Sequence, residues 1–317
     1  LINSIFEQLL NGLRTGSIYA LIALGYTMVY GIAKMINFAH GDIIMVGAYS
    51  LYVFTVLLGL HPVIAVILTI VVCSVLGIVI EKVAYKPLRN APSLAVLITA
   101  IGMSYLLQNV ALLIFKATPI PFASIISVPS LRLGSVTISG ITIVTLVVTT
   151  ISMIALTSFI NNTKTGRAMR AVSEDKGAAE LMGINVNKTI SITFAIGSGL
   201  AAVAGILFFC QYQSLQPTLG ALRGIKAFVA AVLGGIGSIP GAMLGGIILG
   251  IIESLSKAYI STQLSDAIVF STLVIVLLAR PSGLLGKMKI EKVSVAQMKK
   301  NRKLIINGVL AVAVYVL

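Results

Sequence analysis

Charge is what this chain has least of. Of 317 residues only 10% are Asp, Glu, Lys or Arg, against roughly 25% in an ordinary soluble domain, which excludes a water-soluble globule. Cysteine and histidine are scarce too, with two of each. Cys73 and Cys210 lie in apolar surroundings with no CxxC and no nearby His, so neither a disulfide framework nor a zinc site is supported and both read as small packing residues. His40 and His61 have too few carboxylates around them in sequence for a metal or His-based catalytic centre. Gly234-Gly235-Ile236-Gly237-Ser238-Ile239-Pro240-Gly241 has the glycines of a phosphate loop but no Lys and no preceding strand pattern, so nucleotide binding is rejected.

What the chain has in abundance is apolar length. Residues 15–33, 43–60, 63–80, 90–115, 133–163, 189–222 and 227–252 contain no Asp, Glu, Lys or Arg, and a helix crosses hydrocarbon with about 20 such residues. The expected fold is all-α, a polytopic membrane bundle of eight to nine crossings. They fall near 8–33, 43–60, 63–84, 92–115, 140–160, 189–212, 237–257 and 262–280, with 217–236 either a ninth crossing or a re-entrant segment. His61-Pro62 breaks the second helix from the third. Pro119, Pro121 and Pro129 mark 116–139 as an ordered extramembrane loop.

The sparse charges are lopsided, with 23 Lys plus Arg against 9 Asp plus Glu and a net +14. In a soluble protein that would suggest nucleic acid; here it is an orientation signal, because short cytoplasmic loops are enriched in Lys and Arg. Three clusters stand out: Lys82, Lys86 and Arg89; Lys164, Arg167, Arg170, Lys176 and Lys188; Arg280, Lys287, Lys289 and Lys292. Placing all three inside leaves 116–139 outside, and requires 217–236 to cross.

Residues 161–188 form the longest hydrophilic interval. Apolar residues recur through Met169, Val172, Ala178, Ala179, Leu181 and Met182, broken by Ser173-Glu174-Asp175, which predicts two short cytoplasmic helices. Ser173 is expected to cap the second, and Gly183 to end it with positive φ. The face Ala178-Ala179 beside Leu181-Met182 suits insertion into a groove on a partner, or contact with the membrane surface.

Here the sequence resembles a known family. Ala178, Ala179 and Gly183 match the Glu-Ala-Ala-x-x-x-Gly coupling loop of ATP-binding-cassette importer permeases, with Gly177 where that Glu stands. Asn37-Phe-Ala-His-Gly-Asp-Ile-Ile-Met-Val-Gly-Ala-Tyr49, Gly166-Arg-Ala-Met-Arg-Ala-Val172, Gly234 to Gly241 and Arg280-Pro-Ser-Gly-Leu-Leu-Gly286 resemble the branched-chain amino acid importer permeases, the first of their two permease subunits above all. Urea and short-chain amide importers share much of the pattern. The resemblance implies a non-catalytic subunit of the cell inner membrane, working with a second permease, two cytoplasmic ATPases and a periplasmic or lipid-anchored binding protein that delivers Leu, Ile or Val. ATP and magnesium would reside in those ATPases, this chain needing no cofactor. Arg167, Arg170, Glu174 and Asp175 would be the ion-pair contacts of docking. A stand-alone secondary transporter or channel is the rival of another class; inverted repeats and midplane ionisable residues would favour it.

Within the bundle, Asn37, His40 and Asp42 form a polar hinge between the first two helices, Asp42 either pairing at depth or capping the second helix. Gln108 and Asn109 sit mid-interval and are expected to face the bundle, by hydrogen bonding between helices or by lining a pathway. No buried acid–base pair is evident, which favours a largely apolar conduit. Gly241, Gly245, Gly246 and Gly250 make a close-packing helix face. The permease domain is expected over 1–286 and a basic tail over 287–317. Within that tail Met298-Lys-Lys-Asn-Arg-Lys303 and the apolar run after it resemble the start of a second permease.

Overall fold

Helix α1 (Ile2–Ala33) is 32 residues long; its most apolar stretch is almost wholly enclosed, while Ser4 to Glu7 are exposed. The computed structural model describes residues 2–89, 91–126, 128–133 and 136–286, and it is mainly helices after residue 139 that pack against α1. A short connector leads into α2 (His40–Tyr52), prolonged by a π-type turn through Leu57. Then α3 (Pro62–Ile80) starts where expected, with Pro62 in its first turn and the His61 ring accepting from the Val63 N–H. It continues through irregular turns to Leu88. Next come α4 (Ser93–Phe115) and α5 (Gly140–Asn162), followed by the short pair α6 (Lys164–Glu174) and α7 (Lys176–Leu181). The chain ends its described part with α8 (Val186–Tyr212), α9 (Leu219–Gly234), α10 (Ile239–Tyr259) and α11 (Ser265–Ala279).

Seven of these helices, α1 to α5, α8 and α10, are long and apolar enough to cross a membrane, α2 and α3 with their extensions. The segments at 217–236 and 262–280 are shorter, 16 and 15 residues, or about 24 and 22 Å at the helical rise. Both nevertheless carry the chain from one end of the bundle to the other. At one end Lys176 bonds the Ala33 carbonyl, Arg89 bonds Asn187, a Cβ on Gly31 would lie 3.5 Å from Gly237, and Leu284 and Leu285 bond the carbonyls of Leu233 and Gly234. At the other, Ser4 meets Tyr259, Gln8 meets Ser254, and Phe122 bonds Gln213. All the basic clusters lie at the first end, as far as they are described. The tail at 287–317, with its resemblance to a second permease over 298–317, lies outside the described residues.

The proline-rich loop has more order than its composition suggests. Strand β1 (Ile120–Pro121) pairs with β4 (Ser214–Leu215), and β2 (Leu131–Leu133) with β3 (Val136–Ile138), both antiparallel. The first pair ties the loop to the link between α8 and α9, and the second is a hairpin within the loop.

Glycine sets how closely the helices approach. A Cβ on Gly250 would fall 2.2 Å from the Gly16 nitrogen, and one on Gly246 would fall 2.4 Å from the Ala20 nitrogen, so α10 lies backbone against backbone on α1. Gly241 and Gly245 do the same towards α9, against Gly234 and Ala230. Without a hydrophobic drive between helices in lipid, such contact and the dispersion it brings hold them together. The outward faces of α3, α4 and α5 are mostly Val, Ile and Leu, as a hydrocarbon solvent favours.

Candidate functional site

Three constellations stand out, and only two were expected. The first is the loop 161–188. Thr163 caps α6 by accepting from the Gly166 N–H at 3.0 Å, and Gly166 sits so close to the Ile160 carbonyl (2.4 Å from a would-be Cβ) that the corner between α5 and α6 admits no side chain. Ser173 does not cap α7. It lies inside α6 and donates to the Arg170 carbonyl, while Asp175 takes the capping position and accepts from Ala178 N–H at 3.0 Å. A Ser hydroxyl in a helix bonds back to its own preceding turn, whereas the carboxylate two residues later suits the positive end of α7. Gly183 closes α7 with φ +78°, as expected.

The loop's faces also differ from expectation. Ala179 is buried, while Leu181 and Met182 are 91% and 82% exposed, so Leu181 and Met182 supply the free apolar surface. Met169 and Val172 bury the inner face of α6. Lys176 donates to the Ala33 carbonyl at 3.1 Å, fastening the loop to the end of α1; burial and the neighbouring Arg89 guanidinium hold its ammonium below the ordinary Lys pKa. Arg170 is spent on Asn161, at 3.2 Å to the side-chain oxygen. Among the described residues none of Arg167, Arg170, Glu174 and Asp175 forms an ion pair.

The second constellation is the Asn37–Asp42 hinge. After Ala33 the chain doubles back, so that His40 packs its ring 4.6 Å from Tyr26, two turns up α1, and fills the space left by Gly25, whose Cβ would lie 2.4 Å from the His40 Nε2. The first turns of α2 and α9 meet there through Gly41, Gly220 and Gly224. Asn37 accepts from the Tyr85 hydroxyl at 2.9 Å. Asp42 makes no cap bond on α2; fully buried, it accepts from Gln108 Nε2 on α4 at 3.0 Å. Tyr26 Oη, Asn37 Nδ2, His40 Nε2 and Asp42 Oδ2 are buried with no partner among the described residues. Asn109 stands apart from this group. It is exposed and donates to Tyr105 O on its own helix at 2.8 Å, because adjacent helix positions point about 100° apart and only one of the two amides turns inward.

The third was missed. Lys226 and Glu253 are each 2% exposed and lie 2.8 Å apart, against the expectation of no buried acid–base pair. Glu253 also accepts from Tyr19 and Lys257, both at 2.6 Å, and Lys226 donates to Asp266 at 2.6 Å. Lys226 and Glu253 bracket the uncharged interval 227–252, and the turn at Gly235–Ser238 folds α9 back on α10 so that they meet. Opposite charges at the two edges of one apolar interval were the available signal. Glu81, fully buried, is held likewise by Arg89 and by Ser191 at 2.6 Å.

A glycine-packed bundle with seven helices long and apolar enough to cross a membrane defines a multi-pass membrane protein. The chain belongs to the family described as the branched-chain amino acid transport system / permease component, whose model matches residues 8–277. It is 48% identical to the high-affinity branched-chain amino acid transport system permease protein BraD of Pseudomonas aeruginosa, over 90% of this chain and 97% of that protein. It is 46% identical, with the same coverage, to LivH of Escherichia coli K12, a permease protein with the same description. A probable branched-chain amino acid transport permease of Methanocaldococcus jannaschii is 31% identical over 85% of this chain and 89% of its own length.

Proposed function

We propose that this chain is a membrane permease subunit of a binding-protein-dependent, ATP-driven importer of branched-chain amino acids. The observation that carries this reading is the 46–48% identity, over nearly the full length of those proteins, with permeases of that transport system. The chain itself is non-catalytic: ATP and magnesium belong to two cytoplasmic ATPases, a second permease completes the transmembrane unit, and a periplasmic or lipid-anchored protein delivers the amino acid. The membrane is the cell inner membrane, with the basic end of the bundle cytoplasmic and the 116–139 loop outside.

Loop 161–188 is the coupling element in this reading. Its exposed Leu181 and Met182 suit a groove on the ATPase, and its attachment to α1 through Lys176 offers a mechanical route from that contact to the bundle. Within the bundle the unpartnered atoms of Asn37, His40 and Asp42, with Gln108 beside them, are the candidate polar points on the solute's path, since buried polar groups without partners call for water or ligand.

Reconstituting the permease with its co-purifying partners and measuring uptake of labelled leucine tests the reading. Uptake should require both ATP and an added binding protein. Urea uptake without leucine uptake would overturn the substrate, and uptake indifferent to ATP would overturn the class.

A further inference from the structure

At the basic end a cavity of about 360 Å³ opens between the continuation of α3 and the first turns of α8. Two ladders of side chains wall it. On α3 and its continuation the rungs are Ile78, Lys82 and Lys86, and on α8 they are Ala195, Ile192 and Lys188, each three or four residues apart and therefore on one helix face. Both ladders begin apolar inside the bundle and end in ammonium groups at its rim. Lys82, Lys86 and Lys188 are exposed and form no ion pair among the described residues. Asn185 and Asn187 complete the rim. The Asn185 side-chain oxygen accepts from the Lys188 N–H and that of Asn187 accepts from Arg89, which leaves their amide N–H groups for a ligand. No acidic side chain lines the cavity. Glu81, next to Lys82 in sequence, is fully buried and already engaged by Arg89 and by the Ser191 hydroxyl. The rim is thus a ring of donors with three charges and no counter-ion, set at the positive end of a 27-residue helix.

The apolar rungs lead on to hydrocarbon surface. Next to the cavity the outward face of α3 is Val79, Val75, Val72 and Val71, all exposed. A soluble anion, or an acidic loop of a partner protein, would use the rim alone. A molecule with an anionic head and a hydrocarbon tail would use the whole ladder.

We propose that this cavity seats the phosphate headgroup of an anionic phospholipid, with an acyl chain descending past Ile78, Ile192 and Ala195 onto the valines of α3. Cations gathered between membrane helices at the membrane surface have the chemistry for this. The lipid would brace the start of α8, which follows directly on the loop 161–188, against the end of α3. The inference holds whichever solute is carried.

Lipid retention measures it. The assembled complex, extracted in mild detergent from membranes containing phosphatidylglycerol and phosphatidylcholine, should keep phosphatidylglycerol through washing when its lipids are weighed by mass spectrometry. Lys82→Gln/Lys188→Gln, which removes one cation from each ladder, should bind it about thirtyfold more weakly, at about fivefold per cation, while Lys82→Arg/Lys188→Arg should keep it. Lys164→Gln/Arg280→Gln takes the same charge from the same end of the bundle outside the cavity, and should retain the lipid as the parent does. Equal retention by the Lys82→Gln/Lys188→Gln variant, equal loss from the Lys164→Gln/Arg280→Gln control, or equal retention of phosphatidylcholine by the parent would overturn the proposal. So would displacement of the lipid by inorganic phosphate, since the free anion would then be the ligand. Loss of the ATPase from the Lys82→Gln/Lys188→Gln variant with phosphatidylglycerol still bound would overturn it too, and make the lysines a protein contact. If the double variant fails to fold, Lys188→Gln alone carries the comparison.

Discussion

Lys226 and Glu253 survive in an apolar bundle only because their polar atoms are nearly all engaged. Taking an ammonium and a carboxylate out of water costs several kcal/mol each, and the return depends on close partners for both. Here Glu253 receives two ammonium groups on one oxygen and the Tyr19 hydroxyl on the other. Removing one member should hurt more than removing the pair. Lys226→Met in the purified permease should lose about 3 kcal/mol of stability, the low end for removing one buried partner, because Glu253 keeps Lys257 and Tyr19 while Asp266 loses its cation; Lys226→Met/Glu253→Leu should recover most of that. Thermal unfolding of the three proteins in one detergent decides it, and a single variant as stable as the parent would show that the charges are not buried together. The residue scale also shows the limit of reading charge from sequence. Interval 227–252 is neutral, and a pair formed by its two edges appears only when the hairpin of α9 and α10 is folded.

At the scale of the element, helix contacts are written in glycine. Gly250→Ala puts a methyl 2.2 Å from the Gly16 backbone nitrogen, which neither backbone can yield to without shifting α10; a loss of about 1–3 kcal/mol or more follows from overpacking. Gly102→Ala, on the outward face of α4 with nothing within 4 Å of its Cβ, should be neutral or stabilise by up to about 1 kcal/mol through helix propensity. The same unfolding assay separates them. Helix α7 divides in the same manner. Ala179 is buried in its own subunit, so a charge there destabilises the loop before it can report on docking. Leu181→Ser/Met182→Ser should leave the permease folded and in the membrane but weaken recovery of the ATPase about tenfold, as expected for lost apolar contact at an interface; unchanged recovery in a pull-down would remove α7 from the docking surface. Periodicity and breakers made the elements legible: His61-Pro62, the positive φ of Gly183 and the small-residue spacing of Gly241 to Gly250 all read directly. The cap on α7 did not, since Ser173 and Asp175 are both good caps and only the exit angle of α6 chooses between them. Nor did the inward turn of residues 34–39, which depends on the space that Gly25 leaves for His40.

At the scale of the whole molecule, charge and geometry make one statement about orientation. Nine helical legs pass between the two ends among the described residues, and the odd number sets the start of α1 opposite the end of α11. The basic clusters sit with the end of α11, so the orientation proposed above, with that end cytoplasmic and the 116–139 loop outside, is the one that agrees with the positive-inside rule. Helix α9 is the critical leg: with 16 residues it is short, yet it begins beside β4 and the 116–139 loop and ends bonded to Leu284 and Leu285. Cys73 and Cys210 are both buried, so the parent gives little background to a thiol reagent and single cysteines can be read in place. A membrane-impermeant maleimide should label Ala117→Cys and Thr218→Cys on intact cells, and Lys164→Cys and Pro240→Cys only in inverted vesicles. Labelling of Thr218→Cys and Pro240→Cys from the same side would mean that α9 dips in and returns, which would put the third basic cluster outside and break the agreement between the charges and the fold.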